Sequence, residues 1–336
     1  MAPATPHSTY SPHRRGRHFG RRGLLGITAA VAAGTVSTVS GCRSTAGSST
    51  PAPTFVLVHG SASNGNFWTP VVRELALRGR ASVPLDLPGH GTKSTLRRSY
   101  QAPQDLQDFA SSPSGVDGLT MDDYAEHVGA AVEKAAEHGP VVLVGHSLGG
   151  SSVTRVANET PSLLAGITYV SAFCCTELES PLAYLGTEDA RDGAAAPSAP
   201  SLSDEDLGQV PDGTTRYNWR TSDRAFLDAT REQLMADATE EQFLATIATV
   251  QQPDESIQAS LDNAQITPDT WGAVPRTYIR LTADRIVTPA LQDRMIAEAD
   301  RAAPQNRFTI TDIDSSHLGV MHQAPSLAAA LMDSWS

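Results

Sequence analysis

The chain has 336 residues, 40% hydrophobic and 18% charged, which is enough apolar side chain for a large core and too little charge for a disordered polymer. The net charge is −12 from 25 basic and 37 acidic residues, but residues 1–42 hold five arginines and no acid, leaving 20 basic against 37 acidic in the remainder, a net −17. A body that acidic repels the phosphates of nucleic acid and of an anionic membrane surface, and suits an enzyme acting on neutral or cationic small molecules.

Residues 1–22 are polar and basic and end in Arg21-Arg22, followed by a weakly apolar stretch rich in Ala, Gly and Thr up to Ser40. Twin arginines before such a modest apolar region have the pattern of a bacterial Tat export signal. The segment closes in Val39-Ser40-Gly41-Cys42, which resembles the lipobox of bacterial lipoproteins. That resemblance implies acylation of the Cys42 thiol and a new N-terminus there. The competing reading is a non-lipidated signal cut at Ala30-Val31-Ala32, which would leave a very short apolar region. The expectation is an exported protein, a cell-surface lipoprotein or a secreted one, that touches membrane only through a lipid on Cys42. Residues 43–53, rich in Ser, Thr, Gly and Pro, read as a flexible tether, so the functional domain spans 54–336.

From Thr54 onward, short β-rich apolar runs alternate with helical patterns, the signature of βαβ units on a parallel sheet. Strands are expected at Thr54–His59, Ala81–Leu85, Val141–Gly145, Gly166–Ser171, Arg276–Leu281 and Arg307–Thr311. Helices are expected at Asn66–Arg78, Met121–His138, Ser147–Asn158, Pro289–Ala302 and Pro325–Ser334, with Thr120 and Asp123 at capping-box spacing before the second. Two segments break the alternation. Residues 92–119 form a long polar connection, and 172–272 offer no convincing strand but amphipathic patches at Ala225–Met235 and Glu240–Val250. This second segment reads as a mostly helical lid inserted between two strands of one sheet, because strand-like sequence resumes on both sides. Cys174 and Cys175 are adjacent, where a disulfide would have poor geometry, and read as small buried hydrophobes beside a strand end.

Gly145-His146-Ser147-Leu148-Gly149 is G-x-S-x-G between the run Val141–Val144 and a helical pattern. That strand–turn–helix setting is what a nucleophile elbow requires. The turn leaves no space for side chains beside the serine, and a helix N-terminus beneath Ser147 favours developing negative charge. Serine needs a base, itself oriented by an acid, and this fold orders them Ser, acid, His along the chain. Downstream of Ser147 the histidines are His317 and His322. His317 lies in a polar loop after the final strand, where the base belongs, and His322 falls nearer the last helix. Asp284 follows the strand ending at Leu281 and is the expected acid. Asp312 and Asp314 stand too close to His317 in sequence to reach its far nitrogen, and Glu177 or Glu179 is a less common placement. The oxyanion hole needs two backbone amides, each worth roughly 3–4 kcal/mol. Leu148 and Ser61 are the expected donors, while His59 reads as a structural turn residue. No metal or organic cofactor is implied.

Phe55-Val56-Leu57-Val58-His59-Gly60, Trp68, Asp86-Leu87-Pro88-Gly89-His90-Gly91 and Gly145 to Gly150 together resemble the α/β-hydrolases. Tyr169–Phe173, Val274–Ile279, Asp284-Arg285 and Gln292 are similar to the plant methyl-esterase and hydroxynitrile-lyase-like branch with its bacterial relatives. The resemblance covers 54–336 apart from the lid and 92–119. It implies the α/β-hydrolase fold, a mostly parallel sheet of about six strands flanked by helices. It further implies hydrolysis of a small-molecule carboxylic ester through Ser147, His317 and Asp284. The lyases of that branch use a Thr in the first loop and a Lys after the base, where this chain has Gly60 and Leu318, so cyanohydrin cleavage is not implied. Epoxide and haloalkane hydrolases need an aspartate where Ser147 stands. Lactone, amide or carbon–carbon hydrolysis by the same triad is the alternative, followed by a non-catalytic binding protein on this fold. Oligomeric state is left open. Trp219, Phe226 and Phe243 are the lid aromatics, either walls of an apolar pocket or lid core.

Overall fold

The computed structural model describes residues 51–191 and 213–335; the segment read as an export signal, Cys42 and most of the tether lie outside them. Six strands form one sheet: β1 (Thr54–Val58), β2 (Ser82–Pro84), β3 (Val141–Ser147), β4 (Leu164–Ala172), β7 (Arg276–Leu281) and β8 (Thr309–Ile313). Their order is β2-β1-β3-β4-β7-β8 and every pairing is parallel. A parallel sheet must be covered on both faces, so its central strands are buried nearly throughout while successive side chains point to opposite faces. Val56, Val58, Val141, Leu143, Ile167, Tyr169 and Tyr278 point to one face, where α3 (Met121–Ala136), α4 (Gly149–Glu159) and α9 (Pro289–Ala302) pack. Phe55, Leu57, Val142, Val144, Val170 and Ile279 point to the other, against α1 (Thr69–Leu77) and α10 (Ala324–Ser334). Each such fully buried aliphatic side chain contributes on the order of 1.5–3 kcal/mol. The capping box at Thr120 and Asp123 starts α3 as expected.

The expected strand at 307–311 lies two residues later, at Thr309–Ile313. It is an edge strand paired only to β7, and its residues are mostly exposed, so no burial alternation marks its limits. The 92–119 connection is tied down: it carries α2 (Leu106–Ser111), and Tyr100, Phe109 and Ala110 form a small core of their own. Arg216 donates from Nη1 to the carbonyls of Phe109, Ala110 and Ser112 and satisfies the end of that helix.

Between β4 and β7 the described residues form α5 (Pro181–Leu185), α6 (Arg224–Leu234), α7 (Glu240–Val250) and α8 (Ile257–Leu261). They also form a feature that contradicts the strand-free reading of this segment. Strand β5 (Thr214–Arg216) pairs antiparallel with β6 (Asp254–Ser256). Each strand has three residues, too few for a period-two signal, and the ribbon is closed by tertiary contacts. Arg216 meets Asp254 through a bidentate pair at 2.6 and 2.7 Å.

Parallel strands point their C-terminal ends to one edge of a sheet, and the connections emerging there build the site. The loops after β1, β3, β4, β7 and β8 converge on that edge beneath the β4–β7 insertion.

Candidate active site

Ser147 is the last residue of β3, and its φ of 54° is left-handed, which a non-glycine residue adopts at a cost of order 1–3 kcal/mol. The strain is sustained by close packing of the turn: a Cβ on Gly145 would stand 2.7 Å from the Gly149 carbonyl group. Helix α4 begins two residues later, so its N-terminal dipole lies beneath the serine.

His317 and Asp284, 33 residues apart, meet with Nδ1 2.6 Å from Asp284 Oδ2. Asp284 is buried, and its other oxygen accepts the amides of Ile286 at 2.7 Å and Val287 at 3.0 Å. Those two bonds orient the carboxylate so that Oδ2 faces the imidazole. Ser171, which sequence reasoning missed, donates its hydroxyl to the same Oδ2 at 2.6 Å. It sits near the end of β4 with φ 40°, a second strained residue in the site. Nothing local marks it, since only the neighbouring strands bring it to Asp284.

His317 is also held through its backbone. His146 Nε2 donates to the His317 carbonyl at 3.1 Å, and the two rings lie 4.5 Å apart. Burial, reinforced by the neighbouring His317, pushes the His146 imidazole well below its ordinary range, so it stays neutral, and Phe67 stacks on it at 4.4 Å. From the insertion, Asp237 accepts from the Ser316 amide at 3.2 Å and from its hydroxyl, while the Leu318 amide donates to the Leu234 carbonyl at 2.9 Å. The competing residues are engaged elsewhere: Asp312 pairs with Arg280, Glu177 with Arg301, and His322 faces Thr246 on α7 at 3.4 Å.

Ser147 and His317 share the wall of a cavity of about 280 Å³. Ser147 Oγ has no hydrogen-bond partner among the described residues. Ser61 and Leu148 reach the same wall, beside Gly60. His59 is the turn residue expected of it. Its Nε2 accepts the Leu87 amide at 3.1 Å and its Nδ1 meets the Gly60 carbonyl at 2.8 Å. Burial, and then the neighbouring His90, push its pKa down to about 4. Of the three lid aromatics, Trp219 lines the cavity, whereas Phe226 and Phe243 belong to the core beneath it. The other walls are largely apolar, with Phe173, Leu182, Leu185, Tyr217 and Ile286. Cys174 and Cys175 are buried free thiols just beyond β4.

Residues 55–331 match the model of the alpha/beta hydrolase family, and the chain belongs to that family. Methylesterase 18 of Arabidopsis thaliana is 25% identical over 265 residues, covering 78% of this chain and 90% of its own length. Salicylic acid-binding protein 2 of Nicotiana tabacum is 22% identical over 293 residues, covering 83% of this chain and 95% of its own. Among solved structures, a pyrethroid hydrolase from Sphingobium faniae JZ-2 superposes with a TM-score of 0.58 at 20% identity, covering 84% of this chain and 96% of that one. The relatives place this chain among enzymes of the superfamily, and among ester hydrolases in general.

Proposed function

We propose that the protein hydrolyses a carboxylic ester of a small, largely apolar molecule through an acyl-enzyme on Ser147. The observation that carries this reading is the joint placement of Ser147, on a strained elbow, and His317 on the wall of one cavity, with Asp284 bonded to His317 Nδ1. In the proposed cycle His317 takes the proton from Ser147 as Oγ attacks the ester carbonyl. Asp284 keeps the Nδ1–H tautomer and stabilises the imidazolium. The amides of Leu148 and Ser61 hold the oxyanion, and His317 then protonates the departing alcohol. Water activated by the same imidazole releases the acid and restores Ser147. The apolar walls supplied by the lid favour an uncharged acyl or alcohol group over a charged one.

The test is turnover of short and medium p-nitrophenyl esters by the wild type and by Ser147→Ala. Turnover that disappears in the variant supports the reading, together with fluorophosphonate labelling confined to Ser147. A wild type that neither turns over any ester nor takes the probe overturns it.

A further inference from the structure

Glu255 is a buried carboxylate on the cavity wall that the proposed cycle does not use. It arrives on β6, from the insertion, and both of its oxygens are engaged. Oε1 accepts the Tyr124 hydroxyl at 2.8 Å and the Ser256 amide at 2.9 Å. Oε2 accepts the Ala62 amide at 2.6 Å and stands 3.3 Å from His90 Nε2. A carboxylate so fully occupied has little capacity left for a cationic substrate or for proton transfer, so its contribution lies in what it holds.

What it holds is the loop after β1. Ala62 has φ 47°, left-handed for a residue with a Cβ, and needs outside contacts to stay there. Its amide goes to Glu255, and its carbonyl accepts the Gln252 amide at 2.7 Å. Asn64, two residues on, donates to the carbonyls of Thr249 and Val250 at 3.2 Å each. Ser61 therefore lies one residue before a turn anchored along the whole stretch from Thr249 to Glu255. We infer that Glu255 is a positioning residue for the oxyanion hole, holding Ala62 so that the Ser61 amide faces the reacting carbonyl. On this inference, which rests on the esterase reading above, the lid completes the catalytic site as well as covering it. The ionised state fits the role. Burial alone would raise the Glu255 carboxyl, but His90 and the hydrogen-bond donors around it hold it down at about 2. Burial alone would likewise lower His90, and Glu255 reverses that.

The test uses Glu255→Asp, which keeps a charge near His90 but withdraws the carboxylate by one methylene from Ala62, and Glu255→Gln, which keeps the length and removes the charge. Two readouts are needed: kcat and KM per fluorophosphonate-titratable serine, and amide hydrogen exchange of the segment 59–66. The expected result in both variants is a kcat lower by about 10- to 100-fold, approaching the loss of one oxyanion donor, with KM changed less than about threefold. Exchange in 59–66 rises in parallel. A purely structural role would lower the number of titratable sites and leave kcat per site alone. Per-site kcat within about twofold of wild type in both variants, or unchanged exchange of the loop, overturns the inference. Should the wild type neither turn over an ester nor label, the esterase reading fails instead, and the exchange measurement still decides whether Glu255 holds the loop.

Discussion

Adding one methyl group at Gly60 tests the geometry of the site severely. A Cβ there would stand 2.6 Å from Ser147 Cβ and 3.2 Å from both Ser147 Oγ and the His146 carbonyl oxygen. Carbon atoms rest at about 3.5–4.0 Å from one another, so loop and nucleophile must part by roughly 1 Å. Neither side yields easily. Ser147 is locked at φ 54° between β3 and α4, and His59 is hydrogen-bonded through both ring nitrogens. A misplacement of about 1 Å between reacting groups costs on the order of 10²-fold in rate. That corresponds to about 2.7 kcal/mol of lost transition-state stabilisation. Gly60→Ala is therefore expected to lower kcat/KM for p-nitrophenyl butyrate by about two orders of magnitude while the protein remains folded. The assay pairs initial rates with a thermal melt. A folded Gly60→Ala enzyme retaining more than about a third of wild-type kcat/KM would refute the argument, because the loop and Ser147 could not then be in the contact described.

Two further outcomes follow from the same contacts. Asp284→Asn places an amide where Oδ2 accepts from both His317 and Ser171, or breaks the bonds to Ile286 and Val287 if it flips. It should cost roughly 10⁴-fold in kcat by favouring the wrong imidazole tautomer, and a loss below about tenfold in steady-state assays would argue against Asp284 as the acid. Stability should fall in mild acid. His59 has its folded pKa depressed to about 4 from an ordinary 6.5, so between those values the unfolded chain binds a proton that the folded one refuses. Its contribution is intact above pH 6.5 and declines by about 3 kcal/mol as pH drops to 4. His146 acts in the same sense. His90, with its pKa raised, adds stability that is lost only as pH rises above 6.5, and Glu255 matters only below its ordinary 4.5. Urea unfolding at neutral pH and again near pH 4.5 checks this, and equal stabilities would mean that the buried imidazoles are not held neutral.

The fold was legible in the sequence, and the candidate residues Ser147, Asp284 and His317 could be singled out there, because each rests on a local pattern. Apolar runs of strand length and amphipathic helical stretches identify βαβ units, and G-x-S-x-G between a strand and a helix locates Ser147. Chain order then directs attention to Asp284 and His317 without knowledge of any contact. The limits of β8 were not legible because an edge strand lacks burial on both faces, and the β5–β6 ribbon escaped notice because three-residue strands carry no period.

What the sequence by itself determined, then, is the strands of the main sheet with the helices that flank them, their parallel arrangement and the candidate residues at the strand ends. Only the tertiary structure decided which distant groups support those residues. Ser171 donates to Asp284, 113 residues away, His146 holds the carbonyl of His317, 171 residues away, and Glu255 reaches back 193 residues to Ala62. These are single side chains whose partners have no fixed spacing along the chain. A hydrogen bond depends on distance and direction in space, and folding alone sets both.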